Sequence, residues 1–485
     1  MILRVGNINT RIEGDISYHL RGRLFKLLSY TTKAFNGFAF VEVTHNLFDK
    51  VNQTFPTGLY SIVTQIFDEE QIDYETIDIR KQAVPNKPLP LYGIELRKYQ
   101  EDIVRDAVNQ QRFVIQVATG GGKTVIAGAI LASLNVPSLF IVHTGDLFEQ
   151  AYDDLSEMLK VPIGKIGGGE CKIEQINVCM IQTIHAVLKK KYEVFDEVEE
   201  ELSKEDELVK KSYQVRDNSI KKFIESDVQC ILIDECHHIS ANSYIEAMKA
   251  CKAALWRGGL SATPYSGEEK DIILQAYAGK SVGNITASYL IKQGFLVKPK
   301  IFYLLGSLNG DYKYSRKRYN LIYKKNIVGS VYRNNLIVDC VKRLKELNKS
   351  VLITVTTKKH GKVILELLKK KTNVSVEFIY SNVDKILRKQ YIQKVRDRQL
   401  DVIVGTSLAD EGLNIPALDA LILAGGGKSP TRQIQRIGRT LRKSPGKTEA
   451  IIIDFKDCYR YLLGHYKKRR NICEAESEFE IVNSF

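Results

Sequence analysis

The sequence predicts an α/β protein: two tandem parallel-sheet domains behind a small N-terminal α+β domain. Three observations carry that prediction. From Leu96 onward, short apolar runs alternate with stretches whose apolar residues recur at helical spacing, the pattern of strands joined by crossover helices. The alternation runs twice, over residues 91–295 and again over 336–485, with a basic, tyrosine-rich stretch at 296–335 expected to link the two passes. A chain of 485 residues is also too long for one ordinary core.

In chain order, residues 1–90 read as a unit of their own. Residues 37–43 alternate like a strand, 59–67 carry an amphipathic helical pattern, and 74–79 suit a closing strand. Pro85, Pro88 and Pro90 then mark a boundary. Residues 96–100 sit at the head of a helix. The apolar run Phe113-Val114-Ile115 leads into Gln116-Val117-Ala118-Thr119-Gly120-Gly121-Gly122-Lys123-Thr124, after which residues 125–132 resume a helical pattern.

Strand, glycine loop and helix are what a phosphate-binding loop requires. Thr119, Gly120, Gly121 and Gly122 let backbone N–H groups face an anion at the positive end of a helix. Lys123 reaches outer phosphates in such loops, and the Thr124 hydroxyl ligates Mg²⁺. Val117 stands where the usual pattern has its first glycine.

Residues 136–143 and 178–182 read as further strands, with a helix at 146–159 between them. Residues 189–227 break the rhythm with twelve acidic and nine basic residues, as a charged helical insertion would. The run Cys230-Ile231-Leu232-Ile233 then delivers Asp234 and Glu235 at the C-terminal end of a strand, where open α/β sheets bind ligands. Asp234 is placed to hold Mg²⁺, and Glu235 to orient or deprotonate an attacking water. The hydroxyl-bearing segment 259–264 follows a third strand-like run.

Over 296–335, Tyr319 and other tyrosines lie among Lys313, Arg316 and Arg318. Such interleaving suits base stacking and phosphate pairing; packed tyrosines with solvated lysines are the other reading. In the second pass, strands are expected at 350–355, 376–380, 400–406 and 420–424, with 450–455 closing the sheet and a helix at 360–370. This half has no glycine-lysine-threonine loop. It does have Gln435-Arg436-Ile437-Gly438-Arg439-Thr440-Leu441-Arg442, which on a helix puts Arg439 and Arg442 on one face. Lys467-Lys468-Arg469-Arg470 near the end is either a backbone-binding patch or a solvated terminus.

Net charge is +14, from 71 basic and 57 acidic residues, which suits a polyanionic partner. Eight cysteines without a C-x-x-C pair indicate neither a zinc site nor a disulfide frame, and read as thiols in a reducing compartment. The start lacks the apolar core of a signal peptide, and no apolar run nears the roughly 20 residues of a membrane span. A cytoplasmic location is expected, the host cytoplasm if the source is viral.

Taken in order, Leu96 to Gln100, the loop ending Gly122-Lys123-Thr124, Asp234-Glu235-Cys236-His237, Ser261-Ala262-Thr263, Thr406 to Pro416 and Gln435 to Arg442 resemble superfamily 2 helicases over residues 96–455. The resemblance implies two RecA-like domains, ATP and Mg²⁺ as cofactors, and nucleic acid as partner. It implies that Gln100 reads the adenine and that His237 couples the carboxylates to Ser261 and Thr263. It also implies that Asp410, Gly412 and Gln435 line the nucleotide site, with Thr406 near the nucleic-acid backbone and Arg439 and Arg442 acting as arginine fingers.

Asn414 and Gly145 depart from the family pattern, where aspartate and a basic residue are common. The Asp-Glu-Cys-His form is closest to DNA-acting members, and the N-terminal segment is similar to that of phage branch-migration helicases. The function this implies is ATP-driven unwinding or branch migration of forked DNA, with recombination or replication proteins as further partners. A restriction-type nuclease motor, an RNA helicase and a binding protein without catalysis are the alternatives.

Overall fold

The computed structural model describes residues 1–35, 37–189, 215–307, 319–380, 383–406, 418–427, 429–482 and 485. The chain folds as two compact units, Met1–Val117 with Gly122–Asn284, and Ala118–Gly121 with Ile285–Phe485.

Among the described residues, the first unit contains three sheets. A four-stranded sheet is built from β1 (Ile2–Val5), β2 (Asn9–Glu13), β5 (Thr54–Pro56) and β6 (Glu75–Asp78), in the order β5-β2-β1-β6. A separate hairpin pairs β3 (Ser29–Phe35) with β4 (Phe40–Asn46), register Phe35↔Phe40 to Ser29↔Asn46. The strand expected at 37–43 therefore starts three residues later, and its alternation buries neither face.

The main sheet has eight strands: β7 (Arg112–Val117), β8 (Ser138–Val142), β9 (Ile163–Gly167), β10 (Glu170–Lys172), β11 (Ile176–Met180), β12 (Cys230–Asp234), β13 (Trp256–Ser261) and β14 (Lys280–Ile285). Their order is β10-β9-β11-β8-β12-β13-β7-β14, and the central pairings are parallel. β11 ends at Met180, so Ile181 and Gln182 open the next helix instead of extending the strand. β13 runs through Ser261, so half of the 259–264 segment is strand and not the turn after one.

Residues 1–90 do not form a compact unit of their own. Leu3, Leu24, Phe55, Leu59 and Phe67 belong to one continuous buried cluster with Ile231, Ile233 and Leu274 of the larger sheet and its helices. The turn Thr57–Leu59 packs so closely on helix Asp271–Ala278 that a Cβ on Gly58 would collide with the Gln275 carbonyl oxygen. The prolines of 85–90 mark a change of chain path, which says nothing about whether apolar faces on either side need each other.

The second unit holds a seven-stranded sheet in the order β17-β18-β16-β19-β20-β15-β21. Its strands are β15 (Lys298–Leu305), β16 (Val351–Thr354), β17 (Val376–Ile379), β18 (Val402–Gly405), β19 (Ala420–Ile422), β20 (Glu449–Lys456) and β21 (Glu480–Val482). Two expectations are corrected here. The opening of the expected 296–335 linker is a sheet strand, since β15 pairs in parallel with β20 along its whole length, Lys298↔Glu449 to Leu305↔Lys456. For the same reason the 450–455 strand is interior and does not close the sheet. Within this strand Lys298 is exposed and Lys300 pairs with Glu449 at 2.8 Å, so neither lysine is buried uncompensated.

The basic terminus is also corrected. Residues Arg460–Glu474 form a helix, and Arg469 within it is buried, donating to both carboxylate oxygens of the fully buried Asp454 at 2.8 and 3.0 Å. One cation of the run is thus a structural counter-ion for the sheet. All eight cysteines are free thiols, six of them buried. Among the described residues, no helix is long and apolar enough to cross a membrane.

Candidate active site

The site in the first unit starts from the ends of three neighbouring parallel strands, β7, β12 and β13. β7 leads into the glycine loop, and Gly122 caps the helix Lys123–Leu134 in the left-handed region, φ +82°. Glycine is required there twice over, because a Cβ would be strained and would meet the Gln100 side-chain nitrogen at 2.6 Å. Gln100 is itself buried, and its Oε1 accepts from the Arg97 backbone N–H at 2.9 Å. The helix after the loop is buried nearly all round, as its apolar sequence demands, and its first turn carries no acid. Lys123 and Thr124 occupy that first turn, both half-buried.

β12 delivers the two carboxylates. The chain turns at Glu235 with φ +50°, a left-handed conformation that is uncommon for a residue with a side chain. This turn points the carboxylate of Glu235 at Lys123, with Nζ to Oε1 at 2.6 Å. The other oxygen, Oε2, accepts from Ser261 Oγ at 3.1 Å and lies 3.3 Å from His237 Nδ1. Ser261, at the end of β13, also lies 3.2 Å from His237 Nδ1 and accepts from the Thr263 backbone N–H at 3.2 Å. Lys123, Glu235, His237, Ser261 and Thr263 therefore form one connected polar network.

Its electrostatics separate the two carboxylates. Burial opposes the charge of Glu235, but the Lys123 ammonium and the His237 contact outweigh it and hold this carboxyl well below the usual range. Burial, reinforced by the negative charge of Glu235, pushes Asp234 upward against the pull of Lys123. Asp234 Oδ1 is buried without a hydrogen-bond partner, and so is Thr263 Oγ1. A buried carboxylate oxygen with no donor, within the influence of the Lys123 ammonium, fits a divalent cation bound through oxygen ligands.

In the second unit, Gln435 and Arg439 lie half-buried on the helix Pro430–Thr440, whose Ser429 cap accepts from the Arg432 N–H at 3.4 Å. Arg442 does not share that helix. The helix ends at Thr440, the Val297 N–H donates to the Leu441 carbonyl at 2.9 Å, and Arg442 forms an isolated antiparallel bridge with Leu296. The expected shared helical face for Arg439 and Arg442 is therefore replaced by a helix end and a bridge.

Thr406 is buried just past β18, its N–H donating to the Ile379 carbonyl at 3.2 Å. Asp410 and Gly412 lie outside the described residues, as do Lys313, Arg316 and Arg318; Tyr319 opens the helix Tyr319–Tyr323. Sequence reasoning passed over Thr356, Thr357 and Lys359, which line a cavity with Tyr319. Their signal was a Thr-Thr-Lys-Lys run between a strand and a helix.

Residues 93–266 match the family model described as type III restriction enzyme, res subunit, and residues 333–444 match the helicase conserved C-terminal domain. With the two parallel-sheet, RecA-like domains and the network above, these matches define the class: the chain is a superfamily 2 helicase, an ATP-dependent hydrolase.

Among its relatives, it is 27% identical over 437 residues to the DNA 3'-5' translocase XPB2 of Sulfurisphaera tokodaii, covering 81% of this chain and 88% of that one. It is 24% identical over 380 residues to the ATP-dependent DNA helicase uvsW of phage T4, covering 75% of this chain and 69% of the other. Its fold is similar to that of a fragment assigned as an HsdR subunit of a type I restriction enzyme from Vibrio vulnificus YJ016. That likeness has a TM-score of 0.57 at 19% identity, over 94% of this chain and 79% of the other.

Proposed function

We propose that this chain is a DNA motor that couples ATP hydrolysis to unwinding or branch migration of forks and junctions, in replication, recombination or repair. The observation that carries the reading is the Lys123–Glu235–Ser261 network at the mouth of three parallel strands. Lys123 neutralises Glu235 until the outer phosphates of ATP compete for the ammonium. Glu235 is then left as a charged acceptor whose remaining oxygen is fixed by Ser261 and His237, the state needed to orient a water for in-line attack. Asp234 and Thr124 would hold Mg²⁺, which when bound neutralises phosphate charge. Gln100, whose Oε1 accepts from the Arg97 N–H, is assigned the adenine contact. Gln435, Asp410 and Gly412 keep the nucleotide-binding role, and Arg439 and Arg442 the arginine-finger role, that the family resemblance implies. Thr406, Lys313, Arg316 and Arg318 are assigned to the nucleic-acid backbone.

DNA is favoured as the polymer because the relatives named above are a DNA translocase and a DNA helicase. The test is the ATP hydrolysis rate with single-stranded DNA, duplex, a four-way junction and matched RNA at one salt concentration, since polyanion binding is steeply salt-dependent. Strongest stimulation by the junction supports the branched-DNA reading; equal or greater stimulation by RNA refutes it. Lys123→Ala should abolish hydrolysis, and retained turnover in that variant sinks the assignment.

The restriction-type motor is a second reading, favoured by the family model over residues 93–266. Metal-dependent DNA cutting that survives Lys123→Ala would establish it.

A further inference from the structure

The second unit contains a cavity of about 350 Å³ that the nucleotide reading does not use. It lies between helix Tyr319–Tyr323, the helical turn Lys324–Val328 and the start of helix Lys358–Lys371. Tyr319, Tyr323 and Val328 give it an apolar lining, and the exposed Lys324 and Lys359 stand at its edge; among the described residues, no acidic side chain lines it.

The aromatic walls are fixed in advance. Tyr319 is held by ring contacts with Tyr323, Tyr461 and His465 at centroid distances of 5.9, 6.3 and 5.4 Å. The Tyr323 hydroxyl donates to the Gly425 carbonyl at 2.9 Å, which sets the plane of its ring. Two rings already ordered lose little freedom when a flat ligand arrives.

Among the described residues, the charged side chains that line the cavity are both cations, Lys324 and Lys359. Thr357 caps the helix by accepting from the His360 N–H, and the first turn holds Lys358 and Lys359 with no acid. Cations at a helix N-terminus are opposed by the helix dipole, a conflict that a bound anion relieves. An apolar peptide side chain or a lipid tail would fill the cavity without using these cations. A nucleotide uses both parts, its base against the rings and its phosphate against the lysines.

We propose that this cavity receives one unstacked base of single-stranded DNA, with the adjoining phosphate on Lys324 and Lys359. The inference rests on the reading of the chain as a DNA motor and adds a base-holding site to it. The site grips any sequence, because every base offers a flat face.

The experiment is a binding cycle by fluorescence anisotropy on the full chain, with a labelled oligothymidylate and an abasic oligonucleotide of equal length. Tyr319→Ala should weaken oligothymidylate binding by about 5- to 150-fold, the range for loss of one stacked base, and leave abasic binding within about twofold. Tyr319→Phe should retain wild-type affinity, because the ring and not the hydroxyl does the stacking. Lys359→Gln, a change at an exposed residue, should weaken both probes and reduce the salt slope of log affinity by about 0.7. Equal losses on the two probes in Tyr319→Ala, or an unchanged salt slope in Lys359→Gln, overturn the proposal. A wild-type protein that binds neither probe and shows no DNA-stimulated hydrolysis overturns the motor reading and this site together. Wild-type stimulation with a flat cycle overturns the site alone.

Discussion

Acidification should selectively weaken the second unit through one histidine. His360 is fully buried, with Nε2 3.1 Å from Asn334 Oδ1. Asn334 Nδ2 donates to the Val328 carbonyl, which fixes the amide so that its oxygen faces the ring and His360 must donate from Nε2. Nδ1 is then buried without a partner, and the Arg333 guanidinium adds its positive charge nearby. Burial first, and Arg333 second, lower this histidine from its ordinary 6.5 to about 3.

The sign follows from proton binding. Between those two values the unfolded chain takes up a proton that the folded one refuses, so stability rises with pH and is lost on acidification below about 6.5. At 1.36 kcal/mol per pH unit, the loss between pH 7 and pH 5 is about 2 kcal/mol from this residue alone. His360→Gln keeps a donor towards Asn334 and removes the titration.

The assay is hydrogen exchange of peptides from helix Lys358–Lys371, corrected for intrinsic rates, in wild type and variant at pH 7 and pH 5. The wild type should lose about 2 kcal/mol more protection than the variant over that interval. Equal losses in the two proteins would refute the argument, because every other titrating group is common to both.

Three further outcomes follow from the packing and the polar network. Ser261→Ala removes the donor that fixes Glu235 Oε2, and should lower kcat by about 10- to 100-fold with ATP affinity retained, as loss of a supporting shell does; unchanged turnover counts against the assigned role of Glu235. Gly58→Ala drives a methyl into the Gln275 and Ala276 carbonyls and should cost the first unit about 1–3 kcal/mol, read in urea from the fluorescence of Trp256, the single tryptophan and a residue of that unit. Arg469→Ala leaves Asp454 buried without its cation and should destabilise the second unit by about 3–5 kcal/mol, whereas removing both partners should cost clearly less than the two single changes combined.

The sequence by itself determined the fold class and the chemical content of the candidate site. Alternating apolar runs force parallel strands with crossover helices, because only that arrangement buries both faces of such strands. The glycine loop and the Asp234-Glu235 pair were legible for a related reason. A loop that admits only glycine, and charges that follow an apolar strand, are local signals carried by neighbouring residues.

Tertiary structure alone decided what depends on residues far apart in the chain. Nothing near Gly58 announces helix Asp271–Ala278, yet the N-terminal segment shares its core with the first motor sheet. The segment Lys298–Leu305, read as the start of a linker, is a strand whose partner lies about 150 residues onward at Glu449–Lys456. Arg469 read as a surface cation until Asp454 appeared beside it. Arg442 read as helical until the chain bridged to Leu296. Local periodicity records which faces a segment must bury; the partner that buries them, or neutralises a charge upon them, is set only when the whole chain closes on itself.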